Sequence, residues 1–225
     1  STEPGEGNRY LIQDYTVYYM HSTSLPQISD YTSIESDLAY IGFSPSYNIE
    51  SNPLLASRSA RDVQIASQLE KLPMAEKEIE TSASILSGKY LVNKDATEEN
   101  FKQIAKDANI IHIASHTIID DEEPLNSKLV FSPGADTVED GLLHTYELYN
   151  MKLNAQLACL SACNTGFGKI KSGEGVVSLA KGFFYAGVPN VMMSLWSVPD
   201  ISTSEIMTTF YMELKKGIGK ADALR

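Results

Sequence analysis

The residues best suited to chemistry are a cysteine and a histidine, Cys163 and His116. Cys163 lies in the stretch 156–168, which reads QLACLSACNTGFG. Its apolar first part predicts a short buried strand, and its small, polar, glycine-bearing second part predicts a tight loop. A thiol at such a junction is held rigidly and faces a groove, as a nucleophile must. The other interpretation is a structural cysteine that fills space in the core.

His116 holds the corresponding place on another predicted strand, the β-branched run at 110–114. Ligands bind outside the carboxyl ends of parallel strands, so two neighbouring strands would bring the thiol and the imidazole to one edge. The imidazole would then take the thiol proton or stabilise the thiolate. The small residues after Cys163 would leave backbone N–H groups to face an oxyanion. Strand-end cysteine and histidine residues also arise by chance, so both interpretations remain open here.

Predicted strands and helices alternate along the chain, which indicates an α/β fold with a mostly parallel sheet and helices on both faces. We expect one or two strands in 10–21 and a loop at 44–59, with a turn and a short helix at 140–150. The other predicted strands are 38–43, 89–92, 110–114, 128–131, 156–161 and 190–195. The predicted helices run from Ala75 to a stop at Gly88, from a cap at Thr97, from a cap at Ser172 to a stop at Gly187, from Ser202 or Thr203, and at the C-terminus.

Composition excludes some classes of protein. The net charge of −11 over 225 residues argues against a nucleic-acid partner held by phosphate contacts and allows a basic peptide. The apolar runs are shorter than the roughly 20 residues of a membrane helix, so we expect no membrane partner.

The two cysteines and the four histidines do not indicate a disulfide or a metal site. Cys159 and Cys163 would lie about 13 Å apart on one strand, too far for a disulfide, which suits a reducing cytoplasm. His112 and His116 have a metal-like spacing only on a helix, whereas this run predicts a strand. We treat His21, His112 and His144 as structural, and we expect no metal and no cofactor.

Several sequence blocks closely resemble the CHAT family, caspase-like peptidases related to separase and clostripain. These are HIASH at 112–116, SACNTG at 161–166, GEG at 173–175, SLWSVPD at 194–200 and RYLIQDYTVYYMHS near the start. The resemblance covers nearly the whole chain. The 47 residues that separate His116 from Cys163 are close to the roughly 50 typical of caspases.

The resemblance implies a cysteine endopeptidase with Cys163 as nucleophile and His116 as general acid and base. It places the oxyanion hole at the N–H groups of Cys163 and of the residue after the histidine. Most family members have glycine there, whereas this chain has Thr117, which resists positive φ and crowds the site.

The same resemblance implies a pocket for the residue before the cut. Asp200 would select Arg or Lys there by charge pairing; alternatively it caps a helix. Trp196 either lines this pocket or belongs to the core, and Ser161 would shape the same face. The acidic run 120–123 either attracts a basic peptide or is a solvated loop.

We therefore expect residues 1–225 to form a single caspase-like domain, a piece of a longer chain with helical repeats upstream. The expected activity is cleavage of a protein substrate after a basic residue through a Cys–His dyad, regulated by another domain or a partner. The alternative is a catalytically silent domain whose groove holds a protein partner.

Overall fold

The computed structural model describes residues 14–15, 39–47, 69, 71–134, 138–161, 174–194 and 198–225. The strands within these residues are β1 Tyr40–Pro45, β2 Lys89–Asn93, β3 Ile110–Ile113, β4 Thr117–Ile118, β5 Lys128–Val130, β6 Leu142–His144, β7 Leu157–Leu160 and β8 Val191–Met193. Five parallel strands form a central sheet in the order β2-β1-β3-β7-β8, and three antiparallel strands form a second sheet in the order β4-β5-β6.

Helices separate the strands of the central sheet. They are α1 Ala75–Leu86, α2 Glu98–Ile104, α3 Thr145–Leu148, α4 Glu174–Tyr185, α5 Asp200–Lys215 and α6 Lys220–Ala223, with short 3-10 helices at Ala105–Asp107 and Pro124–Asn126. The predicted α/β fold with a mostly parallel sheet is therefore confirmed.

The central sheet buries both faces because side chains alternate along each strand. On β3, Ile111 and Ile113 pack with the core that contains Phe101 of α2 and Phe183 of α4. The alternate residues of β3 face the opposite side of the sheet. Ile110 packs with the core that contains Ala83 and Leu86 of α1 and Phe210 and Tyr211 of α5. Helices thus cover both sides of the sheet.

The second sheet is a feature that sequence reasoning did not predict. Its first strand, β4, is only two residues long and begins directly after His116. The segment 140–150, expected to hold a turn and a short helix, contains β6 as well as α3. The predicted strand 128–131 is confirmed as β5, whereas the two-residue β4 is too short to show a period.

Several helix ends differ from the sequence expectation. The left-handed residue that ends α1 is Ser87, with φ 56°, rather than Gly88. Gly88 is needed for another reason, since a Cβ there would lie 2.6 Å from the Cβ of Tyr40. Helix α5 begins at Asp200, ahead of the predicted Ser202 or Thr203.

Other expectations are confirmed. The hydroxyl of Thr97 accepts a hydrogen bond from Asn100 N at 3.2 Å and caps α2. Gly187, with φ 105°, follows the end of α4 as predicted. The predicted cap Ser172 lies outside the described residues, and so does the predicted strand region 10–21 apart from Asp14 and Tyr15.

Candidate active site

The two candidate catalytic residues follow neighbouring, in-register strands. Ile113, the last residue of β3, pairs with Leu160, the last residue of β7, and Ser161 N donates to Ile113 O at 3.0 Å. His116 lies three residues after Ile113, and Cys163 lies three residues after Leu160. The chain therefore leaves β3 toward His116 and leaves β7 at Ser161 on the same edge of the sheet. Cys163 itself lies outside the described residues.

His116 is buried, with only 4% of its surface exposed, at the junction between β3 and β4. Its backbone oxygen accepts from Val130 N at 2.9 Å, which fixes it to the second sheet. Its backbone N–H donates to the Tyr47 hydroxyl at 2.9 Å. The Tyr47 ring packs against the imidazole, with ring centroids 4.5 Å apart and planes inclined at 50°.

Thr117 adopts an ordinary extended conformation. It is the first residue of β4 and pairs with Leu129 of β5. Among the described residues, the non-glycine residues with positive φ are Ser87 and Asn93, so the expected strain at Thr117 does not arise. Because Val130 N bonds to His116 O, the Thr117–Leu129 pair is of the non-hydrogen-bonded type, and the Thr117 N–H points away from β5.

The start of α4 is anchored to the loop that follows His116. Helix α4 starts eleven residues after Cys163, and Gly175 N donates to a carboxylate oxygen of Asp121 at 3.0 Å. A Cβ at Gly175 would lie 2.5 Å from Ile119 Cγ2 and 2.9 Å from the backbone oxygen of Asp120. Only glycine permits this close approach. We call this contact the Asp121–Gly175 clasp.

Two residues of the acidic run 120–123 accept backbone hydrogen bonds within the protein. One carboxylate oxygen of Asp120 accepts from Glu122 N and Glu123 N at 3.0 and 2.9 Å, forming a local turn. Glu122 and Glu123 are exposed. Of the four acids, Asp120 and Asp121 therefore shape the loop, and the two glutamates face solvent.

Asp200, the predicted selector for a basic residue, lies at the start of α5, after the strand β8 that neighbours β7. Its Oδ2 accepts from Met74 N at 2.7 Å, just ahead of α1. The carboxylate thus joins the starts of two helices. One accepted bond occupies a small part of the roughly four lone-pair positions of a carboxylate.

The two other predicted pocket residues are only partly defined. Ser161 is half-buried beside the end of β7, on the edge that leads to Cys163. Trp196 lies outside the described residues, like Cys163.

Cys159 is a core thiol, as predicted. It is fully buried on the opposite face of β7 from Leu160, next to His112 in register, and it is not in a disulfide. Burial raises its pKa to about 12, with the nearby Glu78 adding to the effect and a hydrogen bond with Tyr211 opposing it. A thiol so strongly held in its protonated form is a poor nucleophile.

His112 is structural, as predicted. Its Nδ1 lies 3.0 Å from the Tyr40 hydroxyl and its Nε2 lies 3.0 Å from Glu78 Oε1. His112 and Glu78 are 0% and 1% exposed. This buried pair connects β3 to α1. His112 lies within β3, whereas His116 lies beyond the end of that strand, so the pair is separate from His116. His144 is also structural, since it caps α3 in a capping box with Glu147.

One group of carboxylates has the spacing of a cation site. Glu98, Glu139 and Glu147 lie close together, and the Lys102 ammonium sits among them at 2.8, 2.5 and 2.8 Å. The lysine supplies the positive charge that a metal would bring. Burial raises the pKa of Glu98 to about 7, with Lys102 opposing the shift and Glu147 and Glu139 adding to it. The cluster thus links α2 to α3 and to Glu139, which precedes β6.

Sequence reasoning missed Tyr47 and the Asp121–Gly175 clasp. Tyr47 falls in a segment that looked like a plain surface loop. The GEG block did contain the signal for Gly175, because a glycine near a helix start often marks close backbone approach. Its partner Asp121 is 54 residues away, and no local pattern connects the two.

The fold and this edge define a caspase-like α/β protein, and comparison with known families agrees. A family model described as the CHAT domain matches residues 2–225. The chain belongs to the CHAT domain family, which is caspase-like and related to peptidases. It is also similar to mouse and human proteins named Tetratricopeptide repeat protein 28, each 26% identical over 183 and 184 residues. That similarity covers 68% of this chain and 7% of each relative.

The chain therefore spans a small part of the curated relatives that it matches. Among the described helices, none is both long and apolar enough to cross a bilayer.

Proposed function

We propose that the protein is a cysteine endopeptidase in which Cys163 is the nucleophile and His116 the general acid and base. The observation that carries the proposal is the pairing of Ile113 with Leu160, because it sends the segments bearing both residues off one sheet edge. The buried fraction of His116 adds support, since an imidazole shielded from water interacts more strongly with a thiolate.

The reaction would proceed in two steps. His116 takes the proton of the Cys163 thiol, and the thiolate attacks the scissile carbonyl carbon. The C–S bond of a thioester forms as the C–N bond breaks, and His116 passes its proton to the leaving amine. A water molecule then attacks the thioester, His116 accepts its proton, and the carboxylic acid leaves as the thiolate is restored. The N–H groups of Thr117 and Cys163 would stabilise the oxyanion in both steps. The direction of the Thr117 N–H, away from β5, suits this role.

We propose that the cut follows an arginine or lysine. Asp200 follows β8, and β8 pairs with β7, the strand that precedes Cys163 in the sequence. The Asp200 carboxylate can accept further hydrogen bonds besides the one from Met74 N. Ser161 and Trp196 would line the same pocket. The net charge of −11 would further favour a basic peptide over an acidic one.

Regulation would come from a helical-repeat domain or partner. The names of the two relatives refer to tetratricopeptide repeats, which are helix–turn–helix units. We further propose that the protein acts in the cytoplasm, where its thiols stay reduced.

The test is cleavage of a peptide library that varies the residue before the cut, with wild-type protein, Cys163→Ala and His116→Ala. We expect cleavage after Arg or Lys in the wild type and a loss of at least about 1,000-fold in either variant. Equal turnover in wild type and Cys163→Ala would disprove the peptidase.

Asp200→Asn separates the two roles of Asp200. Its side-chain oxygen can still accept from Met74 N, but it carries no charge for a basic substrate. We expect KM for Arg peptides to rise by about 10-fold or more, while stability changes little. An unchanged preference for Arg would leave Asp200 with a structural role alone.

The second candidate function, a silent domain that binds a partner in the same groove, makes the opposite prediction. It requires peptide binding without cleavage and no dependence of thiol reactivity on His116. Thr117 in place of glycine would favour this candidate if it strained the backbone, but Thr117 is extended in β4.

A further inference from the structure

Tyr47 reaches His116 because the strands that precede the two residues are neighbours. Strand β1 ends at Pro45 and pairs with β3, and Phe43 O accepts from Ala114 N at 2.9 Å. The chain therefore leaves β1 and β3 side by side, on the same edge that carries the candidate active site. Tyr47 lies two residues after the end of β1.

Tyr47 contacts both parts of His116. Its hydroxyl accepts the backbone N–H of His116 at 2.9 Å, and its ring lies 4.5 Å from the imidazole. The ring is itself held in place, because it packs against the cluster formed by Ile118, Val130 and Leu142 of the second sheet. The tyrosine thus connects the second sheet to the histidine.

These contacts restrict the two groups that the proposed reaction needs. An aromatic ring packed against an imidazole limits the rotation of that imidazole. The bond to His116 N holds the main chain one residue before the Thr117 N–H, the proposed oxyanion donor. An error of about 1 Å in such positions costs about 100-fold in rate.

We propose that Tyr47 is a positioning residue of the active site, which orients the His116 imidazole toward Cys163. This inference rests on the proposed Cys163–His116 pair. It assigns a role to a residue that lies outside the blocks resembling the CHAT family. A purely structural Tyr47 would support the second sheet and have no effect that passes through the histidine.

The rate of alkylation of Cys163 by iodoacetamide tests this without requiring turnover. The rate is followed between pH 5 and 9, and mass spectrometry separates Cys163 from Cys159. In the wild type we expect the midpoint of the pH profile to lie below the value of about 8.5 for a free thiol. His116→Ala should slow alkylation at pH 7 by about 10-fold and raise the midpoint.

Tyr47→Leu should move both quantities most of the way to the His116→Ala values, whereas Tyr47→Phe, which keeps the ring, should stay within about twofold of wild type. Tyr90→Leu removes a half-exposed tyrosine on β2 and is the matched control. Thermal unfolding checks that each variant is folded, and Tyr47→Met makes the same comparison if Tyr47→Leu does not fold.

The double variant Tyr47→Leu/His116→Ala distinguishes positioning from simple structural support. If Tyr47 acts through His116, the double variant alkylates at the rate of His116→Ala alone. A further drop, or a wild-type rate in Tyr47→Leu, overturns the role of Tyr47 while the peptidase proposal stands. A wild-type rate in His116→Ala overturns the Cys163–His116 pair itself, and the Tyr47 proposal with it.

Discussion

Ile113 and Leu160 are register partners at the ends of two adjacent parallel strands, and the residues that follow each of them lead to His116 and to Cys163. The pairing fixes where the ends of β3 and β7 lie relative to each other. Two further contacts lie near this edge, since Tyr47 binds His116 and the Asp121–Gly175 clasp joins the start of α4 to the loop after His116.

The two cysteines should differ sharply in reactivity. Cys159 is fully buried and its pKa is raised to about 12, so at pH 7 to 8 it should resist alkylation in the folded protein. Mass spectrometry after brief iodoacetamide treatment should find the label on Cys163 and less than about a tenth as much on Cys159. In guanidinium chloride the two should react at similar rates. Labelling of Cys159 before Cys163 in the native protein would contradict the burial of Cys159.

The Asp121–Gly175 clasp should be intolerant of a side chain. We expect Gly175→Ala to destabilise the protein by about 1–3 kcal/mol, because its Cβ meets backbone and a branched side chain at under 3 Å. Gly182→Ala on the same helix is the control, since its nearest contacts are side-chain atoms at 3.0–3.3 Å. Urea unfolding compares the two. Equal stability of both variants would mean that α4 does not approach the loop after His116 so closely.

The buried pair Glu78–His112 should contribute strongly to stability. Glu78→Ala removes one partner of a buried ionisable pair and should cost about 3–5 kcal/mol. Glu80→Ala changes an exposed glutamate on the same helix and should stay within about 0.5 kcal/mol of wild type. Chemical denaturation measures both. A small effect at Glu78 would show that His112 is held by Tyr40 alone.

Glu98 should make stability depend on pH between about 4.5 and 7. Its pKa rises from 4.5 to about 7 on folding, so in this window the folded state binds more protons than the unfolded state. Stability from this group is therefore present at low pH and declines as the pH rises toward 7. The glutamine in Glu98→Gln does not ionise, so this variant does not lose stability in this pH window. Its free energy of unfolding relative to that of the wild type should therefore rise by about 2 kcal/mol from pH 5 to pH 7.5.

The neighbouring variant Glu99→Gln is the control for Glu98, since Glu99 lies at the partly exposed face of the same helix. Its stability should follow that of the wild type across the pH range. A Glu98→Gln curve parallel to the wild-type curve would show that Lys102 keeps Glu98 ionised throughout.

Much of the fold could be predicted because it depends on local chemistry. The apolar runs of β3 and β7, the cap at Thr97 and the stop at Gly187 are encoded in a few adjacent residues each. Two features could not be predicted from the sequence, each for a physical reason. Strand β4 is too short to have a period, and α5 starts at Asp200 because Pro199 suits the extended residue before a helix and its carbonyl receives Thr203 N.

The sequence by itself indicated the candidate reactive groups, the alternation of strands and helices and the burial of Cys159, since each follows from the pattern of neighbouring side chains. The tertiary structure decided which strands are adjacent, that Thr117 is extended, and that Tyr47 and Asp121 contact residues 69 and 54 positions away. Contacts over such separations depend on how the whole sheet packs, and no stretch of a few residues specifies them.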